Sequence, residues 1–88
     1  MTTFETIWHR IEALEGETFR QIRGKKFTYK IVGNSLALDS TNQSISQKQL
    51  EDAFELLPLE DTISVQHLRA PSYIYAILMD PRVRRGDW

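Results

Sequence analysis

Residues 18–39 read TFRQIRGKKFTYKIVGNSLALD, and this segment decides the fold. Apolar and polar residues alternate along it, which is typical of β-strands that bury one face. Glycine-containing turns interrupt the alternation at residues 23–25 and 33–34, and the second of these, a Gly-Asn pair, is a strong hairpin signal. We therefore predict a three-stranded antiparallel meander, with strands over residues 18–22, 26–32 and 35–39.

The two faces of the predicted sheet differ in character. Alternation assigns a mainly apolar set to the face that packs on the helices: Phe19, Gln21, Phe27, Tyr29, Ile31, Leu36 and Leu38. The opposite face receives a largely polar set: Thr18, Arg20, Ile22, Lys26, Thr28, Lys30, Val32, Ser35, Ala37 and Asp39. The sequence thus predicts one core face and one solvent-facing face.

A helix precedes the sheet. Thr2 and Glu5 form a capping-box pattern, in which each side chain satisfies a backbone amide that the helix start leaves unpaired. Gly16 suits the left-handed conformation that closes a helix. Between them, apolar residues recur at spacings of three and four: Phe4, Ile7, Trp8, Ile11 and Leu14. We predict that residues 3–15 are helical.

Two further helices follow the sheet. Ser46 and Gln49 form a second capping box, and the helix that they start is predicted to end at the next proline. A third helix is predicted from Pro71 to about residue 79, because proline is favoured in a first helical turn. Residues 62–68 fit either a short edge strand or a helical turn, and the sequence does not choose between them.

These elements predict an α+β fold in the order α-β-β-β-α-(β)-α, with three helices packed on one face of the sheet. Eighty-eight residues correspond to one domain. We place that domain at residues 1–81 and interpret residues 82–88 as a basic C-terminal tail.

The composition excludes several classes of protein. The chain contains no cysteine, which excludes disulfide frameworks, thiolate metal sites and cysteine nucleophiles. It has no run of 18 apolar residues and no signal-peptide pattern at its start, so we expect a cytoplasmic protein that does not associate with membranes.

Charge is distributed unevenly along the chain, although the net charge is only −1. Residues 18–38 contain five cations and no acid: Arg20, Arg23, Lys25, Lys26 and Lys30. Residues 48–61 contain one cation and five acids. This segregation predicts a molecule with a basic side and an acidic side.

The five cations of the predicted hairpin are the best functional signal. Three of them, Arg20, Lys26 and Lys30, fall on one predicted face, and the hydroxyl side chains of Thr18, Thr28 and Ser35 fall on the same face. Cations and hydroxyls in this arrangement suit a phosphate backbone, so we predict that the five residues contact DNA or RNA. The competing interpretation is an ordinary solvated face, on which lysine discourages aggregation at a sheet edge.

Signals for catalysis are weak. The sequence has no nucleophile elbow and no glycine-rich phosphate loop with a lysine. Glu5, His9 and Glu12 are spaced to share one side of the first helix, and this set would suit metal binding or acid-base chemistry. A solvated helix face explains the same spacing. We therefore predict no catalytic residue, no metal site and no cofactor.

The C-terminal segment offers a second candidate surface. Arg82, Arg84, Arg85 and Trp88 could dock a partner, with the tryptophan as an anchor. Arginines just beyond a helix C-terminus also complement the helix dipole, and a tryptophan can fold back onto a core. The sequence leaves these interpretations open.

Several motifs resemble a small bacterial domain family of uncharacterised function. They are Gly16-Glu17-Thr18-Phe19, Gly24-Lys25-Lys26-Phe27-Thr28-Tyr29, Gly33-Asn34, Leu57-Pro58-Leu59 and the segment from Pro71 to Arg82, which reads PSYIYAILMDPR. The resemblance covers nearly the whole chain. It implies a stand-alone protein or a terminal appendage on a DNA-processing protein, and it assigns no catalytic residue.

The sequence therefore predicts a non-enzymatic binding module that contacts nucleic-acid phosphates through its basic hairpin. The alternative is a protein–protein adaptor or a homodimerisation domain.

Overall fold

A computed structural model describes residues 2–57, 62, 65–68 and 70–88. Within these ranges the chain forms four helices and five strands, and the predicted α+β class is confirmed. In chain order the elements are α1 (Phe4–Ala13), β1 (Phe19–Arg20), β2 (Lys26–Phe27), β3 (Tyr29–Val32), β4 (Ser35–Leu38), β5 (Ser44–Ser46), α2 (Gln47–Phe54), α3 (Pro71–Leu78) and α4 (Pro81–Arg84).

The strands form two antiparallel sheets, β1-β2 and β3-β4-β5. The strand predicted over residues 26–32 is divided at Thr28, whose N–H donates to Asp39 Oδ1 at 2.8 Å and whose carbonyl accepts from Asp39 N at 3.1 Å. The three-stranded meander therefore begins at Tyr29 and gains its third strand from β5, which was not among the predicted strands. Ile45 explains this strand, because it is fully buried opposite Leu36.

The loop between α1 and β1 covers the outer edge of β3. Gly16 N donates to the carbonyl of Tyr29 at 3.1 Å, and Glu15 Oε2 accepts from Ile31 N at 2.6 Å. Gly16 has φ +85°, which an L-residue rarely adopts. Because two backbone groups of β3 are already bonded, this edge is a poor template for an added strand.

The N-terminal cap differs from the prediction in the first helix and agrees with it in the second. The cap of α1 is Thr3 and not Thr2, since Thr3 has an extended backbone and its Oγ1 accepts from Thr6 N at 3.3 Å. Ser46 caps α2 as predicted, and its Oγ accepts from Gln49 N at 3.2 Å. Pro71 is at the start of α3, also as predicted.

Aromatic rings join the sheets to the helices. Phe19 stacks on Phe27 with 5.8 Å between the ring centroids. Phe27 and Tyr73 of α3 form an edge-to-face pair whose ring centroids are 4.8 Å apart. Tyr29 is fully buried, and its hydroxyl donates to the carbonyl of Ile11 at 2.6 Å. Burial raises the pKa of Tyr29 well above its usual value, so the hydroxyl stays protonated and keeps this bond.

The segment predicted as a basic tail packs on the folded body. Pro81 does not end the chain's helical structure but opens α4, because proline suits a first turn and Asp80 caps it. Val83 is fully buried, and Arg10 of α1 donates to the Val83 carbonyl at 2.8 Å. The same guanidinium pairs with Asp87 at 2.7 Å.

The ambiguous segment 62–68 is described only in part, and residues 63 and 64 lie outside the described ranges. Val65 N donates to Thr62 O at 3.2 Å, and Leu68 N donates to Val65 O at 2.9 Å. These are turn hydrogen bonds, and Val65 is fully buried.

Candidate nucleic-acid interface

The β1–β2 hairpin separates its aromatic residues from its cations. Phe19 pairs with Phe27 and Arg20 pairs with Lys26 in the antiparallel register. Both phenylalanines are buried, whereas both cations are exposed. Side chains of directly opposed residues lie on the same face, so Arg20 and Lys26 are neighbours on the solvent side of the hairpin.

A tight turn presents the tip of the hairpin to solvent. Gln21 N donates to Lys25 O at 2.9 Å, and Gly24 N donates to Gln21 O at 2.8 Å. Gly24 has φ +89°, which favours glycine at this position. Arg23 and Lys25 flank that glycine, and both are exposed. The turn therefore adds two cations to the pair on the strands.

Lys30 extends the basic surface onto the second sheet. Phe27 and Tyr29 are both buried and Thr28 between them is not, so the in-and-out alternation continues from β2 into β3. Lys26 and Lys30 accordingly share the outward phase, and Lys30 is exposed opposite Ala37. We refer to Arg20, Arg23, Lys25, Lys26 and Lys30 as the basic hairpin surface.

The remaining cations of the described chain are engaged within the protein. Of eleven lysines and arginines, ten lie in the described ranges, and five of these ten form side-chain hydrogen bonds or ion pairs. These five are Arg10, Lys48, Arg82, Arg84 and Arg85. The other five side chains have no such partner among the described residues, and they are the members of the basic hairpin surface.

Among the described residues, the acids nearest to this surface have partners of their own and do not contact its cations. The Asp39 carboxylate accepts from the backbone of Thr28. Asp80 accepts from Arg82 Nε at 2.9 Å and from Arg82 N at 2.9 Å. Partial burial works to raise the pKa of Asp80, but the hydrogen bonds from Arg82 outweigh it and hold the pKa below its usual range.

Two hollows lie beside the hairpin tip, and Ile22 lines both. The apolar hollow, about 220 Å³, lies between the hairpin and α3 and is lined by Arg20, Ile22, Tyr75, Ala76, Met79, Asp80 and Pro81. The polar hollow, about 430 Å³, is lined by Gln21, Ile22, Arg23, Thr62 and Ser72. Ile22 itself is 62% exposed.

Sequence reasoning missed the part of this site that α3 contributes. Tyr75, Met79 and Ser72 are separated from the hairpin by some fifty residues of chain, and nothing in their spacing connects them with it. One signal was present, because alternation already assigned Ile22 to the solvent-facing side of the sheet.

The predicted docking residues of the C-terminal segment have partners inside the protein. The Arg82 guanidinium lies 4.5 Å from the Phe19 ring centroid and donates to the carbonyl of Thr18 at 2.8 Å. Arg84 donates to the carbonyl of Trp88. Arg85 is exposed, and its Nε donates to the Arg82 carbonyl at 3.2 Å.

Trp88 is anchored on the body of the protein. Its Nε1 donates to Leu78 O at 2.9 Å. Its ring forms an edge-to-face pair with Phe54, with 6.0 Å between the ring centroids. Both contacts are structural, and they explain why the side chain is half-buried. A docking role for this segment stays a prediction.

The acid-base candidates on α1 show no assembled site. Glu5, His9 and Glu12 are all exposed. In the described ranges no group of three or more histidine, aspartate or glutamate side chains is placed to hold a metal ion.

None of the described helices has the length and apolar character needed to cross a bilayer.

Comparisons with protein-family models, with curated proteins and with solved structures found no match for this chain. The resemblance inferred from the sequence motifs therefore stays an expectation.

Proposed function

We propose that this protein is a non-enzymatic binding module that contacts nucleic-acid phosphates through the basic hairpin surface. The observation that supports the proposal is the division of the cations. Five of the ten described cations are engaged within the protein, and the five that have no side-chain partner among the described residues lie on one hairpin and the strand that follows it. A cytoplasmic location belongs to the same proposal.

The energetics of the hairpin favour an external anion. Like charges directly opposite each other on an antiparallel pair are destabilising, and Arg20 and Lys26 are placed in that way. A phosphate bound between them would remove the repulsion. Phosphate contacts of this kind bind without reading sequence, since they engage only the backbone.

The adaptor alternative receives less support from the same structure. Glu15 and Gly16 already bond the outer edge of β3, which disfavours strand addition at that edge. The C-terminal segment, a second candidate docking element, also makes contacts inside the protein.

Fluorescence anisotropy with single-stranded and duplex probes at low salt tests the proposal. On duplex DNA, each neutralised phosphate should lower the logarithm of the association constant by about 0.9 for every tenfold increase in salt concentration. Three to five contacts therefore give a slope of about −3 to −4.5 when the logarithm of the association constant is plotted against the logarithm of the salt concentration. The double variant Lys26→Glu/Lys30→Glu should abolish binding and should stay folded, because both side chains are exposed.

The matched control is Lys48→Glu/Arg85→Glu, which changes the net charge equally but leaves the hairpin intact. We expect it to bind as the wild type does. If this control loses binding and the hairpin variant does not, the partner is correct and the surface is wrong. If neither probe binds wild-type protein at tens of micromolar, the proposal fails and the adaptor interpretation takes its place.

A further inference from the structure

The apolar hollow places an apolar and aromatic lining next to a cation. An unpaired nucleotide carries the matching groups, a planar base next to an anionic phosphate. Ile22, Tyr75 and Met79 supply apolar and aromatic lining, and Arg20 supplies a cation that has no side-chain partner among the described residues. The Asp80 carboxylate also lines this hollow, but its charge is paired with Arg82. Its volume of about 220 Å³ lies below the roughly 300–1,000 Å³ of sites for drug-sized ligands. The hollow therefore suits one planar ring system next to an anion.

The polar hollow shares Ile22 with the apolar hollow. Arg23, Gln21 and Ser72 offer donors to a phosphate there. Because Ile22 lines both hollows, a site for a ring and a site for a phosphate share one wall. Proteins that bind single strands combine these two elements, a cationic track and apolar or aromatic surfaces on which bases stack.

We propose that the apolar hollow takes an unpaired nucleobase, so that the protein prefers single-stranded nucleic acid to duplex. The inference rests on the proposed function and names its substrate class. In a duplex the base faces are stacked on one another, and a base must be extruded before it can enter a pocket. In a single strand the base is free to enter while the adjoining phosphates contact Arg20 and Arg23.

Three probes of equal length test the inference by anisotropy: a mixed-sequence single strand, its duplex, and an abasic single strand that keeps the phosphates but has no bases. The single strand should bind at least about fivefold more tightly than the abasic strand, since stacking one base on protein contributes about that much. It should also bind more tightly than the duplex.

Ile22→Ser should bring the affinity for the single strand down to that for the abasic strand. The matched control is Val32→Ser, because Val32 is an equally exposed β-branched residue, 61% against 62%, and lines neither hollow. This control should keep the difference between the probes. Both positions are exposed, so neither variant should unfold the protein.

Equal affinity for the single and abasic strands, tighter binding of the duplex, or an unchanged difference in Ile22→Ser would each overturn the inference. In each of these outcomes the phosphate-binding function would stand, because binding itself would still depend on Lys26 and Lys30. Failure of all three probes to bind would instead refute the proposed function.

Discussion

Arg20 and Lys26 stand directly opposite each other across the two-residue ladder of the β1–β2 hairpin, and both side chains are exposed. The pair is unfavourable for folding, because like charges at opposed positions repel. Their neighbours Phe19 and Phe27 form a buried stack on the other face, which holds the two cations together.

Lys26→Glu should therefore stabilise the protein while it weakens nucleic-acid binding. The new carboxylate would face Arg20, and an opposite-charge pair at such a position contributes about 0.2–1 kcal/mol. Thermal or urea unfolding at low salt should show a small increase in the free energy of unfolding. A destabilised variant would mean that Lys26 has a structural partner and is not held ready for an anion.

The packing of the C-terminal segment predicts a clear effect at Trp88. Trp88→Ala should lower the free energy of unfolding by about 1–3 kcal/mol, less than the 3–5 kcal/mol of a fully buried aromatic residue, because Trp88 is half-buried. Trp88→Phe keeps the edge contact with Phe54 and loses the bond to Leu78 O, so it should lose about 0.5–1.5 kcal/mol. Urea unfolding that is unchanged in Trp88→Ala would show that residues 82–88 are a free tail.

The ion pair at the start of α4 predicts a pH dependence. The pKa of Asp80 is lower in the folded protein than its unfolded value of about 3.9, so its contribution to stability is present above that pH and is lost as the pH falls through the folded pKa. Asp80→Asn keeps a capping side chain but removes the charge. The difference in unfolding free energy between wild type and variant should be largest near neutral pH and shrink below about pH 4. A difference that does not change with pH would contradict the role assigned to the pair with Arg82.

Backbone strain at Arg85 predicts a stabilising substitution. Arg85 ends α4 with φ +46°, a left-handed conformation that costs an ordinary L-residue about 1–2 kcal/mol. Glycine removes that strain, but its greater conformational freedom stabilises the unfolded chain by about 0.4–1 kcal/mol. Arg85→Gly should therefore raise the free energy of unfolding by about 0.8 kcal/mol, the difference between the midpoints of the two ranges. Arg85→Ala keeps the β-carbon and should gain nothing in the same urea titration. Equal stability of the two variants would refute the strain argument.

Much of the local structure was predictable from local rules. The Gly33-Asn34 turn, the cap at Ser46 and the proline that opens α3 are signals carried by neighbouring residues. The cation-rich hairpin was predictable for the same reason, because alternation alone assigns Arg20 and Lys26 to one face. Strand β5 was not, since three residues are too few to show a period and the burial of Ile45 depends on a partner strand.

The sequence by itself determined the α+β class, the solvent-facing phase of the cations and the burial of the aromatic residues opposite them, because each follows from spacing along the chain. Only the tertiary structure decided which cations stay unengaged. Arg10 resembles Arg20 in the sequence, yet Asp87, 77 residues further along the chain, pairs with it in the fold. The tertiary structure also decided that α3 lies beside Ile22 and forms the apolar hollow. Contacts between residues distant in the chain depend on how the elements pack, and no local pattern records that packing.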